Sequence, residues 1–316
     1  MMRYAGKTKM TRRLLIALSI LVCLLHAGSA SGAKVAVIIS ADVEAYKDAL
    51  RGFKRVLRHQ IVAEYDMEGN LETGKQMLAD IQSKIKPDLI LAIGPWASQL
   101  TAAQGTTIPV VYAMVLNPSS LLPAGVKNVT GASMNVPVEN TIRLFKQLGP
   151  QIRRVGVLFN RAKTGYLVKR AIQVGREQGL EIVDREIRSP KEAIQALDAF
   201  QDEIHALWIL PDEFVLTPEV VQYMVLFSYR KKIPLIGLSE RQAQMGALLS
   251  LSFGSSEDIG RQAGELANSI LEGQPPDRLP FTMARQVKLT VNLKAAEKLG
   301  IEIPKSLLGT ADSIIQ

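Results

Sequence analysis

The stretch DLILAIGPWASQL, residues 88–100, contains a transition from a buried strand to a helix. Leu89–Ile93 is an unbroken apolar run, and a helical pattern begins after Gly94, Pro95 and Trp96. A strand that is apolar on both faces is typical of a parallel sheet covered by helices. The stretch therefore predicts a central strand of an α/β sheet, with one of the chain's two tryptophans at the carboxyl end of that strand.

The rest of the chain repeats this alternation in two series. Strands that alternate with helices of about 10–15 residues indicate βαβ units and parallel sheets. The predicted strands are Lys34–Ser40, Ile61–Met67, Asp88–Gly94 and Ile108–Val115 in the first series, and Arg154–Asn160, Glu181–Ile187, Ala206–Pro211, Ile233–Ser239 and Ala247–Phe253 in the second. The two series predict an α/β fold of two doubly wound parallel-sheet lobes, which separate near residues 124–141.

The N-terminal residues have the organisation of a secretory signal peptide. Five basic residues precede an uncharged apolar stretch, Leu14–Leu25, and a segment of small residues follows at Ala27–Ala33. The apolar stretch is shorter than the roughly 20 residues that span a bilayer. We expect residues 1–33 to be removed after Ala30 or Ala33, which places the mature protein in the periplasm or another extracytoplasmic location. An uncleaved N-terminal anchor is the alternative.

The composition of the mature chain excludes several classes of function. Residues 34–316 contain 33 basic and 30 acidic residues, a formal net charge of +3, whereas the whole chain carries +8. Because no basic stripe with interleaved aromatic residues occurs, we expect no nucleic-acid partner. Cys23 is the only cysteine, so residues 34–316 have no disulfide or thiolate metal site. The mature histidines, His59 and His205, are far apart in sequence and predict no metal site.

One stretch partly matches a nucleotide-binding motif. Residues 69–76, GNLETGKQ, have the glycine and lysine spacing of a phosphate-binding loop, but Gln76 occupies the position where Ser or Thr would bind magnesium. We interpret this stretch as the N-terminus of a helix. The chain also lacks a nucleophile elbow and a dinucleotide fingerprint. We therefore expect a binding protein with no cofactor, and an envelope enzyme of the α/β type is the alternative.

The candidate ligand contacts follow from the predicted topology. In open α/β sheets ligands bind beyond the carboxyl ends of the strands, and the cleft between two lobes is the expected site. The candidates lie near these ends: the hydrogen-bonding residues Ser40, Ser98, Asn135, Asn160 and Ser239, the acids Asp212, Glu213 and Glu240, and the aromatic residues Trp96, Tyr112, Tyr166, Phe214 and Phe253. Helix capping is the alternative role for Asn160, Asp212 and Glu213, and strand packing is the alternative for Tyr112 and Phe253.

Several stretches resemble the ABC-transporter substrate-binding proteins of the periplasmic type I class, in the branch that includes binders of tryptophan and other aromatic amino acids. The resemblance extends from about Lys34 to Pro304. The stretches that carry it are LILAIGPWAS with IPVVYAMVLNP, NVTGAS, RRVGVLFN, IPLIGLSERQAQMGALLSLSF, DIGRQAGELANSILEG and VKLTVNLKAAEKLGIEIP.

The resemblance implies two lobes that are joined by a hinge and close on a small ligand. It implies that residues 34–130 and 255–275 form lobe 1 and that residues 131–254 and 276–316 form lobe 2. The protein would be a monomeric component of an ABC importer that delivers an aromatic or amino-acid-like solute to a membrane permease. A ligand-sensing module for a membrane-bound signalling partner is the alternative.

Two departures from the family pattern concern the ligand. Relatives usually have Gly-Thr where this chain has Gly94 and Pro95, and they often have Thr-Asp-Asn where it has Pro211, Asp212 and Glu213. The first change removes a hydroxyl and a backbone N–H from a helix N-terminus that can hold a carboxylate. We therefore expect the ligand specificity of this protein to differ from that of its relatives.

Overall fold

The computed structural model describes residues 32–103, 105–123 and 125–316. Nearly all of the predicted signal peptide lies outside the described residues. Within them, no helix combines the length and the hydropathy needed to cross a membrane.

The first half of the described chain contains five strands and four helices in alternation. The strands are β1 (Lys34–Ile39), β2 (Gln60–Asp66), β3 (Leu89–Ile93), β4 (Val110–Val115) and β5 (Val129–Ser133). The helices are α1 (Glu44–Val56), α2 (Leu71–Asp80), α3 (Pro95–Ala103) and α4 (Pro118–Leu121), and a π-helical turn at Ile81–Ile85 extends α2.

The second half contains seven strands and eight helices among its described residues. The strands are β6 (Arg154–Phe159), β7 (Glu181–Glu186), β8 (Ala206–Trp208), β9 (Leu235–Gly237), β10 (Leu249–Phe253), β11 (Val287–Asn292) and β12 (Ser313–Ile315). The helices are α5 (Val138–Gln147), α6 (Arg161–Glu177), α7 (Pro190–Asp198), α8 (Pro218–Lys231), α9 (Glu240–Met245), α10 (Ser256–Leu271), α11 (Leu293–Leu299) and α12 (Lys305–Thr310).

The strands form two sheets, one in each lobe. The first has the order β2-β1-β3-β4-β5 and is parallel throughout, and the second has the order β12-β11-β10-β9-β8-β6-β7. Only the β10–β11 pair of the second sheet is antiparallel among the described strands. This pair differs from the expected parallel order because β10 leaves lobe 2 at the hinge and β11 returns there. The prediction of two α/β lobes with parallel sheets is confirmed.

Two elements occur in the segment that the sequence analysis treated as a break between the lobes. Strand β5 lies there and helix α5 begins there, and the predicted boundary between residues 130 and 131 falls inside β5. All of β5 belongs to the first sheet, because its residues pair with β4 from Val129, opposite Val110, to Ser133, opposite Val115. Gly131 permits this pairing, since a Cβ atom there would lie 2.3 Å from the backbone oxygen of Tyr112. The short, glycine-containing sequence of β5 has little of the apolar character that identifies a buried strand.

Three chain segments cross between the lobes side by side and form the hinge. The first crossing is residues 133–136, the second is 253–255 and the third is 282–286. The backbone N–H of Ala284 donates to the oxygen of Asn135 at 2.9 Å, and that of Gly254 donates to the oxygen of Gln286 at 2.7 Å. Residues 276–282 still pack on lobe 1, where Thr282 forms a bridge to Ala132. Residues 276–282, which the prediction assigns to lobe 2, therefore contact lobe 1.

Helix α10 returns to lobe 1 and packs on α1 at very short range. A Cβ atom on Gly52 would lie 1.9 Å from the backbone oxygen of Glu257, and one on Gly260 would lie 1.8 Å from that of Ala49. The two helix backbones can approach this closely only because these positions lack side chains. Ile259 and Ala263 on the same helix are buried in the core of the first sheet. This contact ties the returning segment to lobe 1.

We expect Gly260→Ala to destabilise the protein because its methyl group would overlap a backbone oxygen of α1 that cannot move alone. Overpacking of this kind costs about 1–3 kcal/mol. The midpoint of thermal unfolding should fall measurably below that of the parent. Gly309→Ala is the matched control, since Gly309 is also helical and has no heavy atom within 4 Å of an added Cβ. Equal unfolding temperatures for the two variants would contradict the close α1–α10 contact.

Candidate functional site

A cavity of about 530 Å³ lies where the hinge meets the carboxyl edge of the second sheet. It is formed by residues from the first two crossings, by the start of β11, by the ends of β8, β9 and β10, and by α5, α6 and α9. Most of its lining is apolar, with contributions from Leu116, Met134, Val136, Val138, Leu167, Trp208, Pro211, Leu216, Leu238, Leu251 and Phe253. Its volume lies within the usual range of small-molecule sites, about 300–1,000 Å³.

The polar groups of the cavity are few. Asn135, Thr141, Ser239, Glu240, Gln242, Ser252 and Lys288 supply them. Two of these have capping or turn roles: the Ser239 hydroxyl accepts from the backbone N–H of Gln242 at 3.3 Å, and the Gln242 side chain accepts from that of Leu238 at 2.6 Å. These bonds hold the start of α9 at the cavity wall.

Glu240 and Lys288 form an ion pair within this lining. The Nζ atom of Lys288 lies 2.8 Å from Oε2 of Glu240, and both side chains are partly exposed. The hydroxyl of Ser313 donates to Oε1 of Glu240 at 3.2 Å, so β12 supports the pair. The hydrogen bond and charge of Lys288, together with the Ser313 hydroxyl, lower the pKa of Glu240 below its ordinary value. The carboxylate is therefore ionised at neutral pH.

Trp208 lies in the apolar wall of the cavity. It is buried on β8, and its ring packs edge-on against Phe145 of α5 with centroids 6.4 Å apart. Its indole nitrogen is buried and has no hydrogen-bond partner among the described residues. Trp208 and Trp96 are the two tryptophans of the chain, so a variant that lacks one of them reports on the other by fluorescence.

A polar network joins the two lobes beside the hinge. Asn117, at the end of β4, donates from Nδ2 to the backbone oxygens of Lys163 at 3.2 Å and Pro211 at 2.9 Å. Its Oδ1 accepts from the Tyr166 hydroxyl at 2.9 Å, and its backbone N–H donates to Oδ1 of Asn135 at 2.8 Å. Burial raises the pKa of Tyr166, so its phenol remains a donor at neutral pH.

Asn117 makes these contacts from an unusual backbone conformation. Its φ of 50° lies in the left-handed region, which Asn adopts more readily than most residues. Its side chain can therefore reach lobe 2 while its backbone N–H faces the first crossing. Asn117 is not among the site residues predicted from the sequence, because its role depends on contacts from three distant segments.

The turn after β3 is held by internal hydrogen bonds. The Ser40 hydroxyl donates to the backbone oxygen of Ile93 and accepts from the backbone N–H of Ala97, both at 2.9 Å. Ser98 is fully buried, and its hydroxyl donates to the oxygen of Gly94 at 2.7 Å. Trp96 is 48% exposed and does not line the hinge cavity. Ser40 and Ser98 thus position the start of α3, and their contact with a ligand stays a prediction.

Asp212 is also occupied by internal bonds and is fully buried. Its Oδ2 accepts from the backbone N–H of Asn160 at 2.7 Å and from the Thr164 hydroxyl at 2.5 Å, and its Oδ1 accepts from the backbone N–H of Phe214 at 3.0 Å. The carboxylate therefore joins the end of β6, the start of α6 and the loop after β8. This arrangement favours the structural alternative for Asp212, and ligand contact by Asp212 or Glu213 stays a prediction.

The predicted site residues thus fall into two groups. Four of them line the hinge cavity: Asn135, Ser239, Glu240 and Phe253. The others lie elsewhere: Ser40, Trp96, Ser98, Tyr112, Asn160, Tyr166, Asp212, Glu213 and Phe214. Asn160 caps α6, and Glu213 pairs with Lys163 at 2.9 Å. Tyr112 is buried beside Gly131, and Phe214 packs in the core of lobe 2.

Lys288 and Trp208 are cavity residues that the sequence analysis did not select. Trp208 was hidden inside a predicted strand. Lys288 is the one charged residue in the strand sequence VKLTVN, and a lone charge in an otherwise uncharged strand could have identified it as a candidate site residue. Its position beside Glu240 follows from the antiparallel direction of β11, which places the start of that strand at the carboxyl edge of β10.

Comparison with known structures shows where this fold recurs. The chain superimposes with a TM-score of 0.61 on a conserved domain protein from Vibrio cholerae, at 26% identity over 90% of this chain and 99% of that one. A ligand-free, open substrate-binding protein with adhesive properties from Clostridium difficile gives a TM-score of 0.65 at 22% identity, over 90% and 99% of the two chains. An ABC domain in complex with L-Trp from Streptococcus pneumoniae gives 0.60 at 22% identity, over 89% and 100%.

Sequence comparison points in the same direction. A tyrosine-binding protein from Clostridioides difficile is 26% identical over 253 residues, which cover 76% of this chain and 69% of the relative. Residues 34–315 match the profile of the family described as ABC transporter substrate binding protein. This match includes both sheets, the hinge and the cavity. The chain therefore belongs to the family of ABC transporter substrate-binding proteins.

Proposed function

We propose that the protein is the exported solute-binding component of an ABC importer, which captures a small ligand at the hinge and presents the closed form to a membrane permease. The observation that carries this proposal is the position of the cavity. Its walls include Asn135 of the first crossing, Phe253 of the second, and Lys288 of β11, the strand that directly follows the third crossing. A ligand in this cavity would contact the segments whose geometry sets the angle between the lobes. Occupancy can therefore shift the population of closed molecules.

The lining of the cavity favours a ligand with a large apolar part. Trp208, Leu167 and Leu251 provide wide hydrophobic walls, and the few polar groups can orient the ligand. The relatives named for tyrosine binding and for a complex with L-Trp support an aromatic ligand. Trp96 remains a predicted contact that would reach the ligand from lobe 1 on closure. The protein binds its ligand without transforming it, and it acts as a monomer.

The N-terminal sequence and the family support an extracytoplasmic location. Residues 1–33 have the organisation of a signal peptide. A binding protein outside the cytoplasm needs a membrane permease to pass its ligand inward. Deletion of the gene should therefore abolish uptake of the ligand, and ligand-loaded protein should stimulate the ATPase activity of the permease complex. Turnover of the ligand by purified protein would contradict the proposal.

We expect residues 34–316 to bind an aromatic amino acid with a saturable change in the emission of Trp208. The change should persist in Trp96→Phe, whose one tryptophan is Trp208, when L-phenylalanine or L-tyrosine is titrated. Ligand at 100 times Kd should also stabilise the protein by about 2.7 kcal/mol, which raises its melting temperature.

A cavity-filling variant tests the location of the site. Ser252→Phe should abolish binding because its ring would occupy the cavity, whereas Ser306→Phe, on the exposed surface of α12, should bind as the parent does. The proposal fails if amino acids, nucleosides, sugars and aromatic acids all leave both the melting temperature and the Trp208 emission unchanged.

We expect Asn117→Asp to separate the lobes. The carboxylate keeps the acceptor for Tyr166 but loses the amide that donates to the oxygens of Lys163 and Pro211. Two lost hydrogen bonds of about 1 kcal/mol each should weaken ligand affinity roughly tenfold or more. Small-angle scattering should show a larger radius of gyration.

Asn128→Asp is the matched control, because the Asn128 amide also donates to two backbone oxygens, those of Thr106 and Ile108, but within lobe 1. It should leave the radius of gyration unchanged. A scattering profile for Asn117→Asp that equals that of the parent would exclude a role of this network in holding the lobes.

We expect Asp212→Asn to lower stability without removing a ligand contact. Its NH2 group would replace one carboxylate oxygen and face a backbone N–H donor, and the loss of a hydrogen bond to a buried charged group costs about 3 kcal/mol. Denaturant unfolding should show this loss, while ligand affinity at low temperature should stay within a few-fold of the parent. The neighbouring Glu213→Gln is the control and should cost less than about 1 kcal/mol, because its ion pair is exposed. A large loss of affinity in folded Asp212→Asn would restore the predicted ligand role.

A further inference from the structure

The charge distribution of the hinge cavity carries an inference about the class of ligand. Glu240 and Lys288 are the only ionisable residues among the described residues that line it. They have opposite charges and lie 2.8 Å apart, so the cavity has no net charge. The rest of the lining is neutral and largely apolar. A ligand in this cavity therefore meets one positive and one negative group side by side, at the edge of an apolar chamber.

Neither member of the pair has a structural role comparable to that of Asp212. The Glu240 carboxylate accepts hydrogen bonds from the side chains of Lys288 and Ser313, and it accepts none from a backbone N–H of the described residues. Among the described residues, the Lys288 amine donates only to Glu240. Both side chains are about 40% exposed, 38% for Lys288 and 40% for Glu240. The pair can therefore open without loss of fold, and a ligand can reach both groups.

We infer that this pair recognises the head group of a zwitterionic α-amino acid, with its carboxylate on Lys288, its ammonium on Glu240 and its side chain in the apolar cavity. The inference rests on the proposed function. One internal ion pair would be exchanged for two pairs with the ligand, so no charge loses its partner. A ligand with a single charge would pair with one group and leave the other without a partner. This is costly once the ligand and the closed lobes exclude water from the pair.

This assignment places amino-acid recognition away from both positions that the family pattern indicates. Asp212 is saturated by three internal donors. At the start of α3, Pro95 has no N–H, and the Ser40 and Ser98 hydroxyls already have partners. The paired side chains of α9 and β11 instead offer both charges at one place.

Isothermal titration of residues 34–316 with matched ligands tests the inference. Each series keeps one side chain and varies the charge: L-phenylalanine with phenethylamine and 3-phenylpropionate, and the corresponding tyrosine and tryptophan compounds. At least one amino acid should bind about tenfold or more tightly than the amine and the acid of its series, the size expected for a charge-assisted hydrogen bond.

Neutralising one member of the pair at a time should create a preference between the singly charged ligands, and the preferred ligand should differ between the two variants. Lys288→Met leaves Glu240 unpaired and should favour the amine, whereas Glu240→Gln leaves Lys288 unpaired and should favour the acid. Both variants should bind the amino acid about tenfold more weakly. A reversal of preference cannot result from unfolding, which weakens all ligands together. Lys54→Met and Glu64→Gln are the controls, since this lobe 1 pair has a similar separation of 2.6 Å and similar exposures of 44% and 42%.

The outcomes separate this inference from the proposed function. Unchanged amino-acid affinity and preference in both Lys288→Met and Glu240→Gln would overturn the inference and leave solute binding intact. Binding of a nucleoside or sugar, with no response to any of the amino acids, would also overturn it. An absence of binding by every solute in the wider screen would contradict the proposed function itself.

Discussion

The hydrogen-bonded alignment of the three crossings is the constraint on which the rest of the structure depends. Ala284 and Asn135, and Gly254 and Gln286, join adjacent crossings through their backbones. This alignment makes β11 run antiparallel to β10, because one strand enters lobe 2 where the other leaves it. It also brings the carboxyl edge of the second sheet against the hinge, and the cavity occupies the space between them. The site and the hinge are therefore parts of one arrangement.

Polar residues near this junction divide into those that hold the fold and those that remain available. Asp212 is fully buried and receives three internal donors, so its charge is used to join three segments of lobe 2. Glu240 is partly exposed and has side-chain partners only, among the described residues. The difference has a physical cause. A buried carboxylate must be fully hydrogen-bonded to offset its lost hydration, whereas an exposed one can exchange its partners.

Local patterns were sufficient for most elements and insufficient for those that depend on distant neighbours. The apolar runs of β1, β3 and β6 were identified because parallel strands bury both faces. Strand β5 was missed because its stability comes from pairing with β4 and from the fit of Gly131 against Tyr112, neither of which is visible in five residues. The same limit applies to the site. Asn135, Ser239, Glu240 and Phe253 were selected from strand ends, but Trp208 and Lys288 acquire their positions only from the completed sheet.

The sequence by itself determined the two α/β lobes, the order of most strands and helices, and the resemblance to substrate-binding proteins, because these depend on periodicity and on local motifs. The tertiary structure decided which polar groups are free. It turned Asp212, Ser40 and Ser98 into internal partners, joined the lobes through Asn117, and paired Glu240 with Lys288. A hydrogen-bond partner that lies tens of residues away in sequence, as Thr164 does from Asp212, has no local signature, so the use of a carboxylate is known only once the chain has folded.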